Sequence, residues 1–509
     1  MELSTNRFEY VFRSTKGLTM LAIAIVSVIA AIWGTLSGPM VEWGVRDLTV
    51  KLLGMKMEHF QREGRIVMLY HSIAMAILAI EVYFITSIVP MKKFQQVYIN
   101  ATITVGYILA TFFGLLFGYF GHVYLFHGIF LVGQTLVFFA GILLATTLWP
   151  WKKEYRLAKD SDYAHTKSGL DLERTAFFTM TVMTLISSIW GAVTGSYWGN
   201  GQETFLAENL IRNPHKTVLE HAVIGHLHIM LSLVAVALTL VVGRWMDFKG
   251  LLHKWAMPLM IFGSIILTMG ALGIVWVEWA HYIIYVGSVG VMLSALLYVI
   301  FSWKKLIYDR ITELDIKNPS FLQKFKALLH DPLKFGSGWQ MVFMNFTVSG
   351  IGIFMAVKLD KIFRIWPARE ERITLTGHWH ILAAIIATII IMYYADLSGI
   401  KGKKRQWFGW ILIISSDVAF ASATIYSMKT LFISEYSAEP VISITMILMD
   451  FGLGAVLILL AMLMGWRLFD FFKQDGLWKK EALNPEVDLE RIYPAIPIKD
   501  ANVEQEGKK

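Results

Sequence analysis

Residues 375–397 read LTGHWHILAAIIATIIIMYYADL, with Asp396 as the single charged residue. A run this long and apolar crosses a hydrocarbon layer of about 30 Å as one helix, yet it opens with two histidines one residue apart. The rest of the 509-residue chain is of the same kind: 56% hydrophobic and 17% charged, with a mean hydropathy of +0.55. That composition excludes a soluble enzyme and describes a polytopic membrane protein.

Apolar windows of about 20 residues predict an all-α fold of twelve transmembrane helices, near 17–39, 66–90, 98–119, 127–149, 175–197, 219–243, 255–277, 281–302, 338–357, 376–396, 407–428 and 439–466. They form a membrane domain over 1–470, followed by a polar tail over 471–509 that docks a partner or stays loose. With both termini on the cytoplasmic side of an inner membrane, inner segments hold 33 of the 46 Lys and Arg residues, as positive-inside retention requires. The net charge of +8 is then an orientation signal beside anionic lipid, not a nucleic-acid footprint. The polar start MELSTNRFEYVFRSTKG has no small-residue cleavage site, so no removable signal peptide is expected. Cysteine is absent, which excludes disulfides, iron–sulfur clusters and covalently attached c-type haem.

The chain repeats every four helices. IWGTLSGPMVEWG (32–44) ends the first and IWGAVTGSYWGNG (189–201) ends the fifth. The helices that follow also agree: YHSIAMAILAIEV from Tyr70, GHLHIMLSLVAVAL from Gly225 and GHWHILAAIIATI from Gly377. Three pseudo-repeats of four helices follow, and the second, sixth and tenth helices carry His71, His226, His228, His378 and His380 at one depth in the outer third of the membrane. Eleven of the fourteen histidines lie on or near that side. A single histidine at a helix end is an ordinary interfacial or hydrogen-bonded residue; five on repeat-related helices mark a site, because polar residues within spans are costly. At about 100° per residue, positions i and i+2 diverge by about 200°, so His378 and His380 face two neighbours. That suits two flat cofactors flanking the helix, such as haem bound through imidazole, and not one zinc ion with converging ligands.

On these residues the chain resembles the haem-copper oxidase superfamily, catalytic subunit I, and within it the nitric oxide reductase large subunit and cytochrome oxidase subunit I, over about residues 10–470. The motifs carrying the resemblance are His71 in RIVMLYHSIAM followed by FITSIVP, His378-Trp379-His380, and His221 at the start of the sixth helix. The resemblance implies that His71 and His380 clamp a low-spin haem, with His378 proximal to a second. It also implies a copper or non-haem iron held by sixth- and seventh-helix histidines. The seventh helix, MPLMIFGSIILTMGALGIVWVEWA, has none, and the His-Pro-Glu-Val-Tyr signature of oxidases is missing. The sixth instead carries His221, His226 and His228, of which His221 and His228 share a face. One of the three can close the second haem as a bis-histidine site, so two non-covalent b-type haems are expected and a copper or non-haem iron is not.

Glu81, Asp417 and Asp450 are the carboxylates most clearly inside spans, read as proton-relay candidates or as buried neutral acids. Arg364, Arg369 and Arg372 precede the His-x-His against the charge bias, as partners for haem propionates, an acidic protein or headgroups. The 25 methionines and 18 tryptophans are packing and interfacial residues. Two functions stay open. One is a b-type cytochrome subunit of a respiratory complex, carrying electrons between a quinone pool and an external redox partner such as a cytochrome, with further subunits expected. The other is a terminal oxygen or nitric oxide reductase with an atypical binuclear site. A non-redox transporter of twelve helices would repeat as six plus six.

Overall fold

The computed structural model describes residues 7–36, 43–58, 62–198, 218–277, 279–433 and 438–483. Among these no strand forms, and twelve helices are long and apolar enough to cross a membrane: Thr15–Gly34, Gly64–Ile88, Lys93–Phe120, Tyr124–Leu148, Leu172–Ser196, His221–Trp245, Gly250–Gly273, Ala280–Glu313, Pro332–Lys358, Ile373–Leu397, Gly402–Leu431 and Pro440–Phe472. They are the first to twelfth spans below. The chain is an all-α multi-pass membrane protein.

Span ends differ from expectation where polar sequence continues a helix. The eighth runs on to Glu313 through KKLIYDRITE, supported by Lys305–Asp309 and Arg310–Glu313 pairs one turn apart. The ninth starts six residues early, at Pro332, because Asp331 caps it by accepting from the Lys334 amide and proline occupies the first turn. It then passes through wider π turns at Phe343–Ser349 and Leu359–Phe363.

Packing follows the four-helix unit. The most extensive helix contacts join the third to the fourth span, the seventh to the eighth and the eleventh to the twelfth. Each pair closes over a glycine. A β-carbon on Gly133 would lie 2.4 Å from the Ala110 nitrogen, on Gly287 2.3 Å from the Leu267 nitrogen, and on Gly452 2.5 Å from the Ser415 oxygen, the small-residue contact by which helices associate in lipid. The sixth span stands centrally and touches both the second and the tenth, whereas the second and tenth have almost no backbone contact with each other.

The first and last described helices meet on one face, called here the terminal face. Arg467, buried in the twelfth span, donates to Tyr10 Oη and to Glu481, each at 2.7 Å. Glu481 lies on a short helix, Leu477–Leu483, within the region read as tail; that part is docked on the chain itself, and residues 484–509 lie outside the described residues. On the same face Arg405 bridges Asp331 and Asp396, while Trp245 donates to Asp396 at 2.6 Å, tying spans six, nine, ten and eleven together.

Candidate histidine site

The three histidine-bearing spans share one packing register. Eight consecutive residues are buried in each: 79–86 in the second, 236–243 in the sixth and 388–395 in the tenth. Each buried run starts eight positions after a histidine, namely His71, His228 and His380. The structure therefore makes these three equivalent. Alignment of the GH motifs had instead matched His71 with His226 and His378, two residues out of step. Toward the opposite face the same helices are only half-covered: of residues 66–75 in the second span, Met68 and Ser72 alone are buried.

The equivalent histidines share one local bond. Nδ1 of His71 donates to the Val67 carbonyl, Nδ1 of His228 to Ile224 and Nδ1 of His380 to Thr376, each at 2.8 Å and four residues back. A carbonyl can only accept, so the proton is on Nδ1 and the lone pair is on Nε2. This is how a metal-binding imidazole is oriented, its second nitrogen fixed by a backbone carbonyl. Nδ1 of His226 is held similarly, by the Ser187 carbonyl at 2.8 Å. Its ring lies against Gly191, where a β-carbon would come within 2.5 Å.

Their surroundings differ. The ring of His71 lies 6.4 Å from that of His226 with planes 14° apart. His228 meets Trp379 edge-on at 5.2 Å and lies within electrostatic range of His378, whose buried Nδ1 has no hydrogen-bond partner among the described residues. His380 is exposed, and its Nε2 accepts from Tyr70 Oη. Thus His226 and His228, about 200° apart on the central span, face the second and tenth spans respectively. The pairing of His71 with His380 implied by the resemblance is not a direct contact: His71 lies against His226, and the second and tenth spans meet through side chains, Tyr70 on His380 and Phe84 on Tyr393 at 4.7 Å. His221 is half-buried in the first turn of the sixth span. No group of three or more His, Asp or Glu side chains converges as a metal-ligand set among the described residues.

Of the carboxylates, Glu81 is buried with no partner for Oε1 among the described residues. Asp417 accepts from Trp339 Nε1 and from Gln340 Nε2, both at 2.8 Å. Asp450 is half-buried. None of the three joins the histidines. Arg369 and Arg372 begin the helix that carries His378, but their side chains lie outside the described residues. Neighbouring Glu370 pairs with Lys429, which pins that helix end to the eleventh span. Sequence reasoning missed Tyr70, Ser187 and Gly191. The only signal for them was adjacency, Tyr70 beside His71 and Gly191 within the repeated IWG motif.

Comparison of the chain with protein-family models, with curated proteins and with solved structures finds no match.

Proposed function

We propose that the chain is a b-type haem redox subunit of a respiratory membrane complex, carrying electrons between a quinone pool and an external redox partner through two haems. The observation that carries this reading is the set of repeat-equivalent imidazoles His71, His228 and His380, each with Nδ1 tied to its own helix and Nε2 turned outward at one depth. The donor set suits haem, which is bound by neutral imidazole and needs no cysteine. The half-covered helix ends suit a large apolar group between spans. In this reading His71 and His380 hold one haem across the interface of the second and tenth spans, and Tyr70 swings off His380 Nε2 to permit it. His378 and His228 hold the other between the tenth and sixth spans. His226 stays on Ser187 as a neighbour of His71. Haem so held supplies one-electron transfer at a six-coordinate iron. The protein's part is to fix the imidazole tautomers through the carbonyls of Val67, Ile224 and Thr376, and to exclude water from the terminal-face side by the three buried runs. Orientation follows the charge bias, with the terminal face cytoplasmic.

The test is haem content, reduced-minus-oxidised absorbance and carbon monoxide binding of the purified chain. Two haems per chain and no carbon monoxide spectrum are expected. H71A and H380A should each remove the same haem, H378A the other, and H226A neither. A haem-free chain refutes the reading. Stoichiometric copper or iron beside a carbon monoxide-reactive haem would make the chain a terminal reductase instead.

A further inference from the structure

We propose that the interface between the second and third spans is a proton-conducting file leading from the terminal face to Ser72, beside His71. Lys93, Gln96, Asn100, Thr104, Tyr107, Thr111 and Gly114 recur at intervals of three and four along the third span, so they form one stripe. From 93 to 114 the stripe rises about 31 Å, the thickness of the hydrocarbon core. Residues 96 to 111 of it are buried.

The stripe is bonded from end to end of the terminal half. Lys93 Nζ donates to Gln96 Oε1 at 2.9 Å. Gln96 Nε2 donates to the Thr86 carbonyl at 2.9 Å, and Thr86 Oγ1 to Asn100 Oδ1 at 2.9 Å. Tyr83 Oη and Thr104 Oγ1 share a bond of 2.6 Å. One turn on, Tyr107 Oη is buried without a partner among the described residues, and so is Ser72 Oγ; Thr111 Oγ1 donates to the Ser72 carbonyl at 2.9 Å. At Gly114 a β-carbon would fall 2.7 Å from Ser72 Oγ, so the third span packs closely on Ser72 there. Buried hydroxyls without partners are costly in a membrane, and two at one helix interface, Tyr107 and Ser72, are satisfied together by a file of water.

Tyrosine, threonine and serine hydroxyls and water both donate and accept, so a proton entering at the Lys93 end passes by reorientation of these groups; the amides of Gln96 and Asn100, which cannot relay a proton, orient the water beside them. Glu81 is about 200° around the helix from Tyr83, so it lies off this route. A purely adhesive role, joining two helices by polar bonds, would leave no buried hydroxyls without partners.

The inference rests on the proposed haems, since uptake is read on their reduction. The full chain is placed in liposomes containing a pH indicator, reduced by a flash-activated donor, and followed for proton uptake from the terminal-face side. T104V and Y107F should slow uptake at least tenfold while haem content, absorbance and thermal midpoint stay at wild-type values. T102V, a half-buried threonine on the same helix whose hydroxyl donates only to its own Tyr98 carbonyl, should match wild type. Wild-type uptake rates in T104V and Y107F, or no uptake by a wild-type chain carrying both haems, would overturn the file and leave the haem reading standing. A haem-free chain would overturn that reading instead. The file is then judged by proton flux under a potassium diffusion potential, which T104V must lower tenfold relative to T102V.

Discussion

Asp417 separates a structural carboxylate from a proton relay. Both its oxygens are engaged, by Trp339 Nε1 and Gln340 Nε2 at 2.8 Å, and Gln340 is fully buried while its own Oε1 has no partner among the described residues. In D417A two donors lose their acceptor. One is fully buried; the other faces lipid, which offers none. An unsatisfied buried donor costs about 1–3 kcal/mol, whereas measured hydrogen bonds within membranes average about 0.6 kcal/mol, so about 2 kcal/mol is expected for the pair. D417N should cost about half as much, because Asn Oδ1 still accepts from one of the two donors while its Nδ2 faces the other; a flip of the Gln340 amide gains nothing, since it would move Nε2 off Ser416 Oγ, 3.1 Å away, to the side where Oε1 has no partner among the described residues. The assay is equilibrium unfolding in mixed detergent micelles, comparing midpoints of the two variants, with redox-linked proton uptake measured alongside. Equal destabilisation by D417N and D417A would refute the retained acceptor. A collapse of uptake in D417N with stability intact would refute the structural role and return Asp417 to the relay candidates.

Four further outcomes follow from the terminal face and the helix contacts. Burial pushes the Asp247 carboxyl up, but the Tyr163 hydrogen bond and Lys249 outweigh it and hold the pKa below the ordinary value. Its stabilisation is therefore present above the unfolded pKa of about 4 and lost as pH falls through the folded value, so the stability gap between wild type and D247N should hold at neutral pH, shrink as pH falls below the unfolded pKa and close below the folded one. Arg174 is buried, lies 3.4 Å over the Tyr155 ring and donates to the carbonyls of Pro90 and Thr147; R174M should cost about 3 kcal/mol in the same unfolding assay, and R174K should recover less than half, since one ammonium cannot span both acceptors. G133A should cost about 1–3 kcal/mol through overpacking, whereas G128A, with open space around it, should be neutral; equal effects would refute the close approach of the third and fourth spans. Cysteines at Lys51 and Lys479 of this cysteine-free chain should label oppositely with an impermeant reagent, Lys51 from outside; the reverse pattern would invert the orientation.

Twelve spans were legible because a 20-residue apolar window is a physical requirement of crossing lipid, whatever the neighbours. Their ends were less so, since the eighth and ninth spans extend through polar sequence on the strength of one-turn ion pairs and a proline cap. The repeat was legible in the IWG motifs, though residues 37–42 and 199–217 of those regions lie outside the described residues. Histidine depth was legible too. Register was not: His226 and His378 share a GH motif with each other, and only the buried runs reveal that His71 belongs with His228 and His380. Nor could periodicity say which helix each histidine faces, because 3.6 residues per turn fixes directions about one axis and not the identity of the neighbour found there. The third-span stripe lay in plain view as Gln96, Asn100, Thr104 and Thr111, but sequence reading weighs carboxylates and histidines, and hydroxyl chains acquire meaning only when their partners across the interface are known.

The packing around the histidine-bearing spans also constrains where protons can travel. The buried runs 79–86, 236–243 and 388–395 close the centre of the bundle on its terminal side with side chains that are mostly aliphatic or aromatic. A charged species cannot cross such a plug without a desolvation cost of many kcal/mol, whereas an electron needs no water-filled route. Apart from Glu81, the one carboxylate within these runs, the polar route from the terminal face to the histidine depth is the interface beside the plug, whose hydroxyls still have bonding capacity. The second span borders both regions. One side of it lies in the central cluster with the sixth and tenth spans, and the other, through Ser72, Tyr83 and Thr86, meets the third-span stripe. Electron and proton paths would then run along opposite sides of one helix and converge at adjacent residues, His71 and Ser72.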